Sequence, residues 1–286
     1  MIIWIASYPK SGNTWVRALI SSYLYTQEGT FCFNDLGNID QFPSKKYLSY
    51  FLQDFSNPAA VSKYWIEAQK KINEKNTTTI FKTHNQMCTI NGYSFTNKKH
   101  TAACIYVIRD PRNVITSLAN HYLLTIEQAY NFFTNKRKII FTKSDMANGT
   151  QLEEKANAHF IGSWREHYLS WKNIGFAPVK IVRYEDLVKN INDTFFSILV
   201  FLNKHIKFKF NEKKMLSAIK SCNFEVLKKM ENQEGFPEAS KIEENGKEIT
   251  FFNLGEKNNW QKILDPIFEE KIRKNFYNEM KELEYL

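Results

Sequence analysis

Apolar positions along this chain fall into two kinds of stretch, short near-continuous runs and longer segments of helical period. The runs lie at 2–6 (IIWIA), 78–82 (TTIFK), 102–108 (AACIYVI) and 179–183 (VKIVR), and are rich in β-branched and aromatic residues. They do not alternate apolar with polar, so they read as strands covered on both faces, as in a parallel sheet buried by helices. Helical period appears over about 13–26, 45–55, 60–74, 111–121, 153–173, 192–203 and 265–282. Strands separated by helices make βαβ units, which predicts an α/β fold: a central, mostly parallel sheet flanked by helices. No internal repeat and no Gly/Ser/Pro linker divides the chain, so residues 1–286 are expected to form one domain. Two polar stretches, 134–152 and 231–250, are expected to be long loops, either covers over a site or insertions.

Composition narrows the class without choosing a function. With 43% hydrophobic and 24% charged residues the chain can bury a sizeable core, and large-scale disorder is excluded. A net charge of +9 favours anionic partners such as nucleotides or sulfated and phosphorylated molecules. The lysines are spread along the chain rather than gathered into an arm, so no nucleic-acid tail is predicted. Cysteines 32, 88, 104 and 222 form no C-x-x-C pair and no zinc spacing; they are expected to be reduced, with no metal site. No leader pattern and no apolar run of membrane-spanning length occurs, so a cytoplasmic protein is expected, in which the sequons at Asn76, Asn148 and Asn192 carry no sugar.

Chemistry enters with Ser7-Tyr8-Pro9-Lys10-Ser11-Gly12-Asn13-Thr14-Trp15, which joins the first strand to the first helix. A loop entering a helix aims backbone N–H groups and the positive end of the helix dipole at one point, which suits a phosphate. Gly12 permits close backbone approach, Lys10 supplies charge, and Ser11, Asn13 and Thr14 supply side-chain donors. The same turn can be read as a plain helix start with Ser11 or Asn13 as N-cap. It is not a Walker A loop, because Lys10 precedes Gly12. Three later segments also follow strands: IFKTHNQ carries Lys82 and His84, YVIRDPRNVITSLANHY carries Arg109 and Ser117, and VRYEDLV carries Tyr184. In open α/β sheets, ligands bind at that edge. Imidazole is the side chain best suited to take a proton near neutral pH, and guanidinium matches phosphate by a forked pair of hydrogen bonds.

The run SYPKSGNTWVR resembles the 5'-phosphosulfate loop of sulfotransferases that use 3'-phosphoadenosine 5'-phosphosulfate (PAPS), and the later segments follow in that family's order. The resemblance implies a P-loop-like sulfotransferase fold and transfer of a sulfuryl group to a hydroxyl or amine, without a metal. His84 would be the general base, Lys10 and Lys82 would serve the transferring group, and residues 10–15 would hold the phosphosulfate and base. Arg109 and Ser117 would hold the 3'-phosphate, with Arg112 and Asn113 as further candidates. Tyr184 would reach the nucleotide, and Phe224, in SCNFEVLKKME, would sandwich the adenine with Trp15. The family's closing R-K-G corresponds here to Asn253-Leu254-Gly255, so only Gly255 agrees, and Lys257 is the nearby candidate for the missing charge. Neither the acceptor, a small molecule or a glycan, nor a homodimer is specified by these segments. Two rival readings stand beside this one. A phosphate-loop nucleotide kinase would need Mg²⁺ and ATP, and a non-catalytic polyanion binder would show steep salt dependence without a nucleotide.

Overall fold

A computed structural model describes residues 1–53, 55, 57–142, 157–241 and 248–286. Four parallel strands form the central sheet: β1 (Ile2–Ser7), β2 (Thr79–Thr83), β3 (Thr101–Ile108) and β4 (Val179–Arg183), in the order β2-β1-β3-β4. Trp4 pairs with Phe81 on one side and Cys104 on the other, and Tyr106 pairs with Ile181. The continuous apolar runs have the expected cause. Ile2, Trp4, Ala6, Cys104 and Tyr106 enter one core, while Ile3, Ile5, Ala103, Ile105 and Val107 enter a second. Every residue of β1 is buried, whereas β4, at the sheet edge, is mostly half-buried and tolerates Lys180 and Arg183.

Helices cover both faces. α1 (Asn13–Tyr25), α2 (Trp65–Asn73), α3 (Pro111–His121), α4 (Ile126–Thr134), α5 (Trp164–Lys172), α6 (Tyr184–Lys189), α7 (Ile191–Asn203), α8 (Glu212–Ser221), α9 (Phe224–Glu234), α10 (Pro266–Asn275) and α11 (Tyr277–Glu282) are the main ones. Several depart from the pattern-based expectation. The helix expected over 45–55 is a single turn, Lys45–Leu48, and Asn57, extended as the residue before a proline must be, caps a new helix, Pro58–Ser62. The helix expected over 153–173 reduces to α5; before it, Asn157–Phe160 pairs with Ile139–Thr142 as an antiparallel hairpin, and residues 153–156 lie outside the described residues. Gly162, at φ +57, turns the chain, and the Ser163 hydroxyl accepts from the Glu166 N–H to start α5. That hairpin also places structure in part of the stretch 134–152 expected to be loop, and α9 runs to Glu234, inside the other. α4, α6, α8 and α9 were not legible as periodic segments; α4, α8 and α9 begin at the polar caps Thr125, Asn211 and Asn223.

Because all four strands run the same way, their carboxyl ends and the turns after them gather at one edge of the sheet. The chain leaves β1 toward β2 and then crosses back to β3, which makes the β1/β3 boundary a topological switch point, the place where such sheets bind ligands. The loop after β1 and Arg109 after β3 flank it. Among the described residues no helix is long and apolar enough to cross a membrane.

Candidate active site

The loop after β1 is shaped by two residues with positive φ, Lys10 at +67° and Gly12 at +100°. α1 then begins at Asn13 with Gly12 as its N-cap and no side-chain cap, so the reading in which Ser11 or Asn13 caps the helix does not hold. The Asn13 amide faces backward: Nδ2 donates to the Ile5 carbonyl at 3.0 Å and to Ser7 Oγ at 3.2 Å, which ties the loop to β1 rather than offering those hydrogens to a ligand. Thr14 is buried beside it. Ser11 is 1% exposed, and its hydroxyl has no partner among the described residues. A buried hydroxyl left unpaired is costly, and an anionic ligand in the loop would accept its hydrogen bond. A Cβ on Gly12 would lie 2.7 Å from Cδ2 of Tyr184. Gly12→Ala is therefore expected to cost about 1–3 kcal/mol through strain and collision, seen as a melting temperature lower by several degrees.

His84 follows β2 directly. Its Nδ1 lies 2.9 Å from the Ser7 carbonyl, which can only accept, so Nδ1 carries the hydrogen and Nε2 keeps a lone pair. Ser7 Oγ is also 3.3 Å from Nδ1. Burial first, and the Lys82 ammonium second, hold the His84 pKa well below its ordinary value, so the ring is neutral at pH 7. His167 braces it from behind: Nε2 donates to the His84 carbonyl at 3.1 Å, and the Tyr106 hydroxyl donates to Nδ1 at 2.8 Å. Sequence reasoning missed His167, whose position on an ordinary helix gave no signal.

Cations surround the loop. The Lys10 Nζ stands 4.0 Å from the centroid of the Phe251 ring. Burial, then Arg109 and Lys82, bring its pKa down to about 7. Lys82 Nζ donates to Glu238 Oε2 at 3.0 Å, and Arg17 Nη2 donates to Glu238 Oε1. Neither Arg17 nor Glu238 was anticipated; the available signal was an arginine inside the apolar run TWVRALI.

The Arg109 guanidinium stands over the Tyr184 ring, its Cζ 4.1 Å from the centroid, and Nη2 donates to the Gly255 carbonyl at 3.2 Å. Its Nε is buried without a partner among the described residues. Tyr184, expected at the nucleotide, is 8% exposed and packs under Gly12, Arg109 and Trp15, the Trp15 ring centroid being 5.5 Å away. The Trp15 indole donates to the Cys222 carbonyl at 2.9 Å, two residues before Phe224. Phe224 presses on Gly255, whose φ is +53° and where a Cβ would lie 2.5 Å from the ring. Ser117 is half-buried on α3, and Lys257 is exposed. A lysine not anticipated, Lys228, stands one turn beyond Phe224 on α9 and donates to the Asn253 carbonyl at 2.9 Å. The structure gives the further candidates other work. Arg112 binds Asp110, at 2.7 Å between Nη2 and Oδ2, and the Tyr285 carbonyl at 2.6 Å, while Asn113 Oδ1 accepts from the Trp260 N–H at 3.2 Å.

A family model, described as the sulfotransferase domain, matches residues 2–284. The chain belongs to the sulfotransferase family. Its relatives include cytosolic sulfotransferase 13 of Arabidopsis thaliana, 24% identical over 95% of this chain and 74% of that protein. Another is the luciferin sulfotransferase of Photinus pyralis, 25% identical over 84% of this chain and 60% of that protein. Among solved structures, mouse sulfotransferase SULT7A1 complexed with PAP is similar, with a TM-score of 0.58 and 19% identity over 98% of this chain and 84% of that one. Retinol dehydratase in complex with androsterone and inactive cofactor PAP gives a TM-score of 0.55 and 15% identity over 98% and 80%. At these identities the structures speak for the fold: a parallel α/β sheet flanked by helices. In this sulfotransferase the loop after β1, His84 and Arg109 lie on the turns that follow the strand ends, and the hydrogen bond from Arg109 to the Gly255 carbonyl ties the Phe224–Gly255 contact to them.

Proposed function

We propose that this sulfotransferase moves a sulfuryl group from PAPS to a hydroxyl or amine acceptor, with His84 as the base. The observation that carries the reading is the tautomer of His84, which the Ser7 carbonyl of the loop's own strand holds with Nε2 deprotonated. Unpaired buried donors, Ser11 Oγ and Arg109 Nε, fit a ligand bearing anionic groups at both places. That similar proteins were solved with PAP supports the choice of nucleotide.

When bound, PAPS supplies the activated sulfuryl group. His84 takes the acceptor's proton at Nε2, which sharpens the attacking oxygen or nitrogen as the new S–O or S–N bond forms. Lys10 offsets negative charge on the departing 5'-phosphate, and Lys82 with the loop N–H groups steadies the 5'-phosphosulfate oxygens, those of the phosphate as well as those of the sulfuryl group. Ser11 and Thr14 orient the same end, while Asn13 keeps the loop in shape. Arg109, with Ser117 beside it, receives the 3'-phosphate; Trp15 and Phe224 flank the adenine, and Tyr184 supports the guanidinium. With Asn253 and Leu254 in place of two cations, Lys228, which donates to the Asn253 carbonyl, and Lys257, three residues after Leu254, complete that subsite. A small molecule or a glycan is the acceptor. The reaction takes place in the cytoplasm, within one domain that spans the chain.

The test is transfer of label from ³⁵S-PAPS across a panel of phenols, alcohols, amines and sugars. Label appearing in an acceptor together with stoichiometric PAP is the expected result. Transfer that requires ATP and Mg²⁺, with none from PAPS, would replace this reading by that of a kinase.

A further inference from the structure

We propose that Glu238, backed by Arg17, is a positioning residue for sulfuryl transfer, because it fixes the Lys82 ammonium beside the loop after β1. The inference rests on the reading of Lys82 given above and adds two residues to it. The two oxygens of the carboxylate are divided between two cations: Oε1 accepts from Arg17 Nη2, and Oε2 from Lys82 Nζ at 3.0 Å. Arg17 is 2% exposed and Lys82 is 6% exposed. The three residues come from α1, β2 and the segment after α9, so the carboxylate joins elements far apart in the chain.

A lysine ammonium is a point charge on a flexible stem, and its direction is set by what it pairs with. Arg17 is rigid by comparison, planar and enclosed in the first turns of α1, and so it fixes the carboxylate that in turn fixes Lys82. Burial alone would raise the Glu238 pKa; Arg17 and Lys82 together overcome it and hold the group well below the usual carboxylate range, so it stays charged at working pH.

The same carboxylate acts on Lys10. The charged groups that face Lys10 are Arg109 from the end of β3, Lys82 from β2, Glu231 from α9 and Glu238, with His121 of α3 and the Phe251 ring close by. Arg109 and Lys82 lower its pKa, and Glu231 and Glu238 raise it. Removing the charge of Glu238 therefore lowers it further, so that Lys10 loses its proton at a lower pH.

The experiment is calorimetric titration with PAP from pH 5 to pH 9, on wild type, Glu238→Gln, Glu238→Asp, Lys82→Met and the Lys82→Met/Glu238→Gln double variant. Melting temperatures measured alongside show that each variant is folded, and Glu238→Gln is isosteric on a half-exposed segment. At pH 5, with Lys10 protonated in all of them, Glu238→Gln is expected to weaken PAP about tenfold, the size of one charged hydrogen bond. Glu238→Asp should recover part of that loss. In the Lys82→Met background the same substitution should cost nothing more. Wild-type affinity is expected to fall above about pH 7, and that of Glu238→Gln to begin falling about one unit lower. Tighter PAP binding by Glu238→Gln would overturn the proposal, because the carboxylate would then be competing with the ligand. An equal loss with and without Lys82, or coincident affinities or pH profiles, would overturn it as well. Failure of the wild type to bind PAP would fall on the nucleotide reading instead.

Discussion

Replacing His84 by Gln is expected to reduce sulfuryl transfer by about 10²-fold or more while leaving the dissociation constant for PAP within threefold of wild type. Glutamine preserves a polar group that can still donate toward the Ser7 carbonyl, but it offers no basic nitrogen. The site's electrostatics add a pH signature. The neutral ring is the active form of a base, and burial and Lys82 push the His84 pKa well below 6.5. The acid limb of the rate profile should therefore lie below that of an ordinary histidine, with turnover still near its plateau at pH 6. In His84→Gln that limb should vanish from what activity remains. Transfer kinetics of both proteins against pH check this; near-normal turnover by the variant would remove His84 from the role of base.

Arg109→Met is the second large effect. The guanidinium sits over the Tyr184 ring, and a hydrogen bond to the Gly255 carbonyl holds its Nη2. Its Nε is buried without a partner among the described residues, a donor that a ligand can use. Losing charged hydrogen bonds worth about 3 kcal/mol weakens binding about 100-fold. The loss should be specific: PAP should suffer it and 5'-AMP should not, because the two differ in the 3'-phosphate. Arg109→Lys should recover little, since an ammonium neither stacks on Tyr184 nor forks. Titrations with both nucleotides decide the matter, and an equal loss for the two would move Arg109 away from the 3'-phosphate.

Much of this site could be read from the chain because strand ends and the turns after them are local features. A run such as IIWIA buries both faces, and the turn that follows must then emerge at the sheet edge, carrying Lys10 to Thr14 with it. The same holds for Lys82 and His84 after β2 and for Arg109 after β3. What escaped the sequence depends on contacts between distant segments. Asn13 looks like a ligand donor until β1 is seen to accept its amide hydrogens. Glu238 sits in a polar stretch read as loop, and nothing local says that its carboxylate meets Arg17 and Lys82. Lys228 likewise becomes a neighbour of Asn253 only when α9 packs beside that segment. Helix length failed before α5 for a related reason, since hydrophobic period continues across Gly162, where the backbone turns at positive φ.

Calorimetry with PAP, 5'-AMP and ATP on the unmodified protein tests most directly whether the turn from β1 into α1, together with Arg109, is a bisphosphate nucleotide site. One PAP should bind per chain, at least tenfold more tightly than 5'-AMP or ATP and without need of Mg²⁺, with protons taken up at pH 7.5 as Lys10 regains its charge beside the anion. Absence of heat with PAP, or equal affinity for all three nucleotides, would contradict the account.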